Sequence, residues 1–369
     1  MKNKIKCYIF IGMFFSMIIV PQALYMVLDH SNTDNSENRT LAEKPDFILS
    51  EWDEYPTKYE EYYNDNIPFK SKFIKLNQTI NYLTFGIAEN DKCLLGSEEW
   101  LFFKEDNTIE DYQGILKYSD EQLMSIVNQI VKVDEYYKSQ GIKFVLFIAP
   151  NKESIYGEYL PEKYVKFADN TRADQLYDYL VNNTSVEVVF PKEELRKYKD
   201  EYQLYYKYDT HWNDIGAYIS SFYMGECLND NVLASIDKTA IVNNGMHVGD
   251  LATMLNLTNY FYDEPAPILD NFSEINVETV YSKPHSIVFN EKYVSDNNNN
   301  KKVYIIGDSF SAQLAKYAKY NYSECTVIHR NEYKAGTAEA EGANVVICEF
   351  VERYIDQMSC AESIFIPSE

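Results

Sequence analysis

Cysteine and basic side chains are what this chain has little of for its length. Six cysteines are spread over 369 residues, and no Cys-x-x-Cys or mixed Cys/His spacing occurs among them. A structural zinc site is therefore not expected, nor is any cofactor or catalytic metal, since no His/Asp cluster stands at ligand spacing. Setting Cys7 aside as part of an N-terminal apolar stretch leaves Cys93, Cys227, Cys325, Cys348 and Cys360, an odd number that fixes no disulfide scheme. Cys325 and Cys348 lie in apolar runs, where a thiol behaves as a small core residue. Lysine and arginine total 34 against 57 acidic residues, a formal net charge of −23. Binding nucleic acid needs clustered cations that displace counterions from a phosphate backbone, and no such block is present. A strongly anionic polymer is repelled as well, unless the site itself is locally basic. Repeats are absent, and the only low-complexity tract is Asn297–Asn300.

What is there begins with an apolar core supply, 46% of all residues, and 33 tyrosines. A tyrosine ring offers a flat apolar face with a polar tip that suits sugars, although half-buried packing accounts for such a ring equally well. Lys2, Lys4 and Lys6 precede the stretch Cys7–Leu28, interrupted only by Ser16, Pro21 and Gln22. At about 1.5 Å per residue that stretch reaches roughly 33 Å, against a hydrocarbon core of about 30 Å. Residues 1–28 are accordingly expected to form a transmembrane anchor. The lysines before it and Asp29, Asp34 and Glu37 after it put the N-terminus inside and the remainder outside the cell. A cleaved signal peptide is the alternative.

Residues 29–90 read as a juxtamembrane linker followed by two helices separated near Pro68, and residues 91–369 as the working domain. In that domain short apolar runs alternate with amphipathic stretches. Strands are expected at Lys143–Ala149, Val186–Phe190, Lys302–Ile306, Cys325–His329 and Asn344–Phe350. Helices are expected at Asp120–Ser139, Thr171–Val181, Asn213–Leu228 and Phe310–Tyr320. This order predicts an α/β fold, a mostly parallel sheet flanked by helices, with 231–300 as an insertion that breaks the alternation.

Two short segments carry the chemistry. Ser309, in Gly307-Asp308-Ser309-Phe310-Ser311, stands just beyond a parallel strand and opens a helix, where backbone N–H groups point toward the same space. A nucleophile there has oxyanion donors beside it. The same letters also describe an ordinary helix cap, because Asp and Ser favour that position. A nucleophile needs a base, and among five histidines His211 has the best setting, Asp209-Thr210-His211-Trp212. In extended chain, residues two apart face the same side. Asp209 can thus hold one ring nitrogen of His211 protonated, leaving the other to take a proton from Ser309.

Together these segments resemble the alginate O-acetyltransferase-like, DHHW-type branch of the SGNH hydrolase superfamily. In that branch an Asp-x-His-Trp element precedes Gly-Asp-Ser in the chain. Further similar segments are Glu37-Asn38-Arg39-Thr40-Leu41-Ala42, Trp100-Leu101-Phe102-Phe103, Pro150-Asn151-Lys152, Gly249-Asp250-Leu251 and Glu352-Arg353. The Gly-x-Asn-Asp block that supplies an oxyanion donor in many SGNH enzymes has no clear counterpart.

The resemblance implies an extracytoplasmic, membrane-anchored O-acetyltransferase that moves an acetyl group through an acyl-Ser309 to a polysaccharide hydroxyl. Ser309, His211 and Asp209 would be catalytic. Trp212 and Arg353 are candidates for substrate contact, by stacking and by polar anchoring, with packing or helix-end roles as the alternatives. The implied partners are a polysaccharide acceptor and a membrane-bound O-acyltransferase as acetyl supplier. An acetylesterase with the same triad, or an idle carbohydrate-binding or assembly protein, are the competing readings.

Overall fold

The computed structural model describes residues 2–27, 41–67, 69–262, 264–270, 272–283 and 288–367. Leu28, Asp29, His30, Asp34, the run Glu37–Thr40, Pro68 and His285, to which expectations attach, lie outside these residues. The chain divides into two compact units, Met1–Ala88 with Thr253–Leu257, and Glu89–Ala252 with Thr258–Glu369.

The first unit is helical. Its helices are Lys2–Val27 (α1), Tyr55–Asp65 (α2) and Lys70–Phe85 (α3), the last stopped by Gly86 in the left-handed region. The helix expected at the N-terminus forms, but no helix among the described residues is long and apolar enough to cross a membrane.

The second unit is built on a seven-stranded sheet. In chain order its strands are Lys143–Ala149 (β1), Glu187–Val189 (β2), Val277–Ser282 (β3), Asn290–Ser295 (β4), Lys302–Gly307 (β5), Glu324–His329 (β6) and Val345–Val351 (β7). Their spatial order is β2-β1-β7-β5-β6-β4-β3. The first five positions pair in parallel, as expected, whereas β4 and β3 add antiparallel edge strands. The sheet is therefore mixed, and the stretch 231–300 is in part an extension of it. That extension gave no sign in the sequence, because β3 is almost wholly exposed and has no continuous apolar run.

Side-chain alternation along the central strands feeds two apolar layers. Phe144, Leu146, Ile148, Tyr304, Ile306 and Val346 pack on Asp120–Ser139 (α4) and Arg172–Asn183 (α5). Val145, Phe147, Val303, Ile305, Val345 and Ile347 pack on Asp214–Leu228 (α6) and Ser309–Ala318 (α7). Burial on both faces explains why these strands read as unbroken apolar runs. Helix α4 starts in a capping box between Ser119 and Gln122 and α6 is capped by Asn213, so both begin where the cap residues stand. All six cysteines are free thiols. Cys325 and Cys348 are buried in strands β6 and β7, and burial pushes the Cys325 thiol up to about 12.

Ile347 lies at the centre of β7, with no exposed surface. Ile347→Ala is expected to cost about 2–5 kcal/mol of stability, read as a lower midpoint in urea denaturation.

Candidate active site

Strands β5 and β7 are parallel neighbours, and their carboxyl ends open toward one space. Gly307 ends β5, Asp308 caps α7 and Ser309 is its first residue. Each has a physical reason. A Cβ on Gly307 would stand 2.4 Å from Glu349 Oε2 and 2.8 Å from Ser311 Cβ, so only glycine fits. Asp308 Oδ1 accepts from Phe310 N (3.0 Å) and Oδ2 from Val351 N (2.9 Å), tying the helix start to the end of β7. Asp308 N donates to Glu349 Oε2 (2.9 Å). Burial, then the charge of Asp308, pushes the Glu349 carboxyl well above its usual range. Phe310 N and Ser311 N are engaged by Asp308. The Ser309 N–H has no hydrogen-bond acceptor among the described residues, and Ser309 itself is exposed.

The segment 205–212 arrives from elsewhere in the chain. Tyr205 bridges Trp212 in antiparallel fashion, and α6 begins immediately after, with Asn213 Oδ1 accepting from Ile215 N and Gly216 N. Lys152 is buried, and its ammonium donates to the carbonyls of Tyr206, Lys207 and Asp209 at 2.9, 2.8 and 2.9 Å. Tyr205 Oη donates to the Pro150 carbonyl (2.7 Å). The Pro150-Asn151-Lys152 turn that follows β1 is thus a clamp on the loop that carries the histidine.

Geometry brings Ser309, His211 and Asp209 into one line. Ser309 Oγ lies 2.7 Å from His211 Nε2, and His211 Nδ1 lies 2.6 Å from Asp209 Oδ1. Asp209 Oδ1 also accepts from His211 N (2.9 Å), while Oδ2 accepts from Asp250 N (3.0 Å) and from His247 Nε2 (2.8 Å). Burial opposes the charge on Asp209, but the His211 and His247 contacts outweigh it and hold its carboxyl well below the ordinary value. An ionised carboxylate only accepts, so both histidines donate to it. His211 is thereby set in the tautomer whose Nε2 lone pair faces the serine hydroxyl. For His211, burial works to lower the pKa, yet the charge and hydrogen bond of Asp209, followed by the charge of Asp250, raise it above 6.5.

Asp250 accepts from Thr210 N (2.8 Å) and Thr210 Oγ1 (2.6 Å), and Thr210 Oγ1 lies 3.2 Å from His211 Nδ1. Atoms of Asp209, His211 and Asp250 lie within 4.8 Å of one another, close enough to touch one cation. Each of them is already in a hydrogen bond, so a cation there would break the Asp209–His211 contact rather than add to it.

The two substrate-contact expectations part company. Trp212 has no exposed surface and packs edge-on against Phe147 and Phe310, so it holds the loop and offers no face to a sugar. That expectation is corrected: Trp212 follows the bend at 209–211, pairs with Tyr205 and has its ring in the core. Arg353 lies over the Phe310 and Tyr354 rings, its Nη1 3.4 Å from Asn151 Oδ1 and its Nε without an acceptor. Sequence reasoning did not assign roles to His247, Lys152 or Asn151. Only the resemblance of Pro150-Asn151-Lys152 and Gly249-Asp250 to family segments pointed toward those stretches.

The family model described as "SGNH hydrolase-like domain, acetyltransferase AlgX" matches residues 93–324. The probable alginate O-acetylase AlgJ of Pseudomonas putida is 24% identical over 325 residues, which is 80% of this chain and 78% of that protein. Its namesake from Pseudomonas aeruginosa is 24% identical over 233 residues, 61% of this chain and 56% of that protein, so the chain spans little more than half of that relative. Among solved structures, a DHHW family protein from Eubacterium siraeum aligns with a TM-score of 0.56 at 15% identity, over 77% of this chain and 98% of that one. This last likeness shows the shared fold. The family model covers more than half of the chain, and the protein belongs to the AlgX family of SGNH hydrolase-like acetyltransferase domains.

Proposed function

We propose that this protein is an O-acetyltransferase that carries an acetyl group on Ser309 and delivers it to a hydroxyl of a polysaccharide outside the cytoplasm. The observation that supports this most is the unbroken hydrogen-bond line from Ser309 Oγ through His211 to Asp209, at 2.7 and 2.6 Å. In the first half-reaction His211 Nε2 takes the Ser309 proton as Oγ attacks the acetyl carbon of the donor. The donor's own acyl bond breaks, and the proton leaves with the departing group. In the second half a sugar hydroxyl gives its proton to His211 as its oxygen attacks the same carbon. The Ser309–acetyl bond then breaks, and Oγ regains a proton. The Ser309 N–H, at the start of a helix, is the proposed donor to the oxyanion in both halves. Arg353, whose guanidinium lies over the Phe310 ring beside Ser309, is the proposed polar anchor for the incoming substrate.

A polysaccharide acceptor is supported by the alginate O-acetylase names of the relatives. A membrane-bound O-acyltransferase is the proposed source of the acetyl group. Work outside the cytoplasm is supported by Lys2, Lys4 and Lys6 ahead of the apolar N-terminal run. One observation favours hydrolysis as a second activity: Ser309 is exposed, so water can reach an acyl-enzyme.

The protein is expected to release acetate from 4-nitrophenyl acetate, and Ser309→Ala to lower that rate by roughly 10³-fold or more. Turnover unchanged in the variant would sink the assignment of Ser309. Mass spectrometry of neutral and acidic oligosaccharides, incubated with the enzyme and the same donor, separates the two acceptors. Acetylated sugar marks a transferase, and acetate alone marks an esterase.

The pH dependence has a defined sign. His211 works as a base only when neutral, and its pKa lies above 6.5. Activity is therefore expected to fall on the acid side through a midpoint above 6.5, about tenfold per pH unit below it. Asp209→Asn removes the charge that raises His211 and is expected to move that midpoint downward while lowering the rate by about 10³–10⁴-fold. Rate profiles from pH 5 to 9 check both.

A further inference from the structure

The Asp209 carboxylate has a second histidine that the triad does not require. His247 is the last residue of the strand Ile241–His247, which forms a largely exposed two-stranded ribbon with Glu264–Leu269. Its Nε2 reaches Asp209 Oδ2 at 2.8 Å, on the side of the carboxylate away from His211. Three further contacts hold it there. The Tyr206 ring stacks on the imidazole, with centroids 3.9 Å apart and planes 17° from parallel. Two residues on, Gly249 lies so close to the catalytic loop that a Cβ would stand 1.8 Å from the Tyr208 carbonyl oxygen. Asp250 N then donates to the same Asp209 oxygen. The ribbon end is thus seated against the catalytic loop by a ring stack, a close backbone approach and two hydrogen bonds to one carboxylate oxygen.

We infer that His247 is a positioning residue that shares the charge of Asp209 and thereby sets how tightly His211 holds its proton. The inference rests on the reading of Asp209, His211 and Ser309 as the catalytic line. A donor on Oδ2 draws negative charge away from Oδ1, the oxygen that faces His211. Without it more of that charge acts on the His211 proton. The carboxylate keeps its orientation in that case, because His211 N and Asp250 N still donate to it. Asp250 and Arg353 also act on His211, and His211, His247 and the neighbouring Asp250 carboxylate act on Asp209. Lys152 meets the backbone carbonyl of Asp209 and leaves its carboxylate to these donors. His247 is 29% exposed and lies outside the apolar layers, so its removal leaves the core intact.

The full chain, His247→Ala and His247→Gln are compared by two readouts. The first is the titration of the His211 ring followed by NMR on histidine-labelled protein, which needs no turnover. In His247→Ala the His211 midpoint is expected to rise by about half a pH unit, and in His247→Gln, whose amide N–H still donates, to return toward the parent. The second is hydrolysis of 4-nitrophenyl acetate. A half-unit shift means a rate at pH 6 about threefold lower for His247→Ala, with the parent kcat regained near pH 9 and KM unmoved. A merely structural role would depress kcat at every pH and leave the midpoint in place. A His211 midpoint that stays or falls in His247→Ala overturns the inference. A parent that shows no Ser309-dependent turnover overturns the catalytic reading instead, while the NMR midpoints still decide the role of His247.

Discussion

A buried carboxylate needs donors on both oxygens, and the site is organised around meeting that need for Asp209. Its four hydrogen bonds come from His211, by backbone and by ring, from the backbone of Asp250 and from the ring of His247. An anion so satisfied remains ionised despite burial. Its charge in turn selects the His211 tautomer and raises the basicity of the ring. Move that carboxylate and the nitrogen facing Ser309 no longer has a defined role.

The rest of the second unit can be understood as the means of presenting this carboxylate to the nucleophile. Strands β5 and β7 run side by side, and the turn after β5 carries Ser309 on the first residue of α7. Glu349 underneath and the capping Asp308 lock that turn by hydrogen bonds to the Asp308 and Val351 backbones. From the other side, Lys152 gathers three backbone carbonyls and so stiffens the loop from Tyr206 to Asp209. A buried ammonium is costly unless all of its donors are used, and here three carbonyls meet its three protons. Trp212 completes the arrangement by pinning the loop to Phe147 and Phe310, the residue next to the nucleophile.

This division of labour also bears on the acyl-transfer chemistry. Ser309 is exposed, while His211 is only 23% accessible and Asp209 behind it is buried.

Much of this was legible in the sequence, and the reasons are local. The central strands declared themselves because burial on both faces demands unbroken apolar runs such as Lys143–Ala149, and α4 and α6 because their caps stand in the letters. Asp209 and His211 are two residues apart, so a local contact was legible, although the chain makes it through a bend in which Asp209 Oδ1 accepts from His211 N rather than through extended backbone. Ser309 stood out because it opens a helix just beyond a parallel strand while the Asp209-Thr210-His211 segment offers it a base. Tertiary structure decided everything that depends on distance along the chain. It placed Ser309 against His211 across 98 residues and brought His247 to Asp209 across 38. It turned Trp212 inward and made β3 and β4 part of the sheet, although their sequence lacks an apolar run. Periodicity and capping act between near neighbours and can be read residue by residue. A hydrogen bond between an edge ribbon and a catalytic loop exists only once the packed sheet has set where both of them lie.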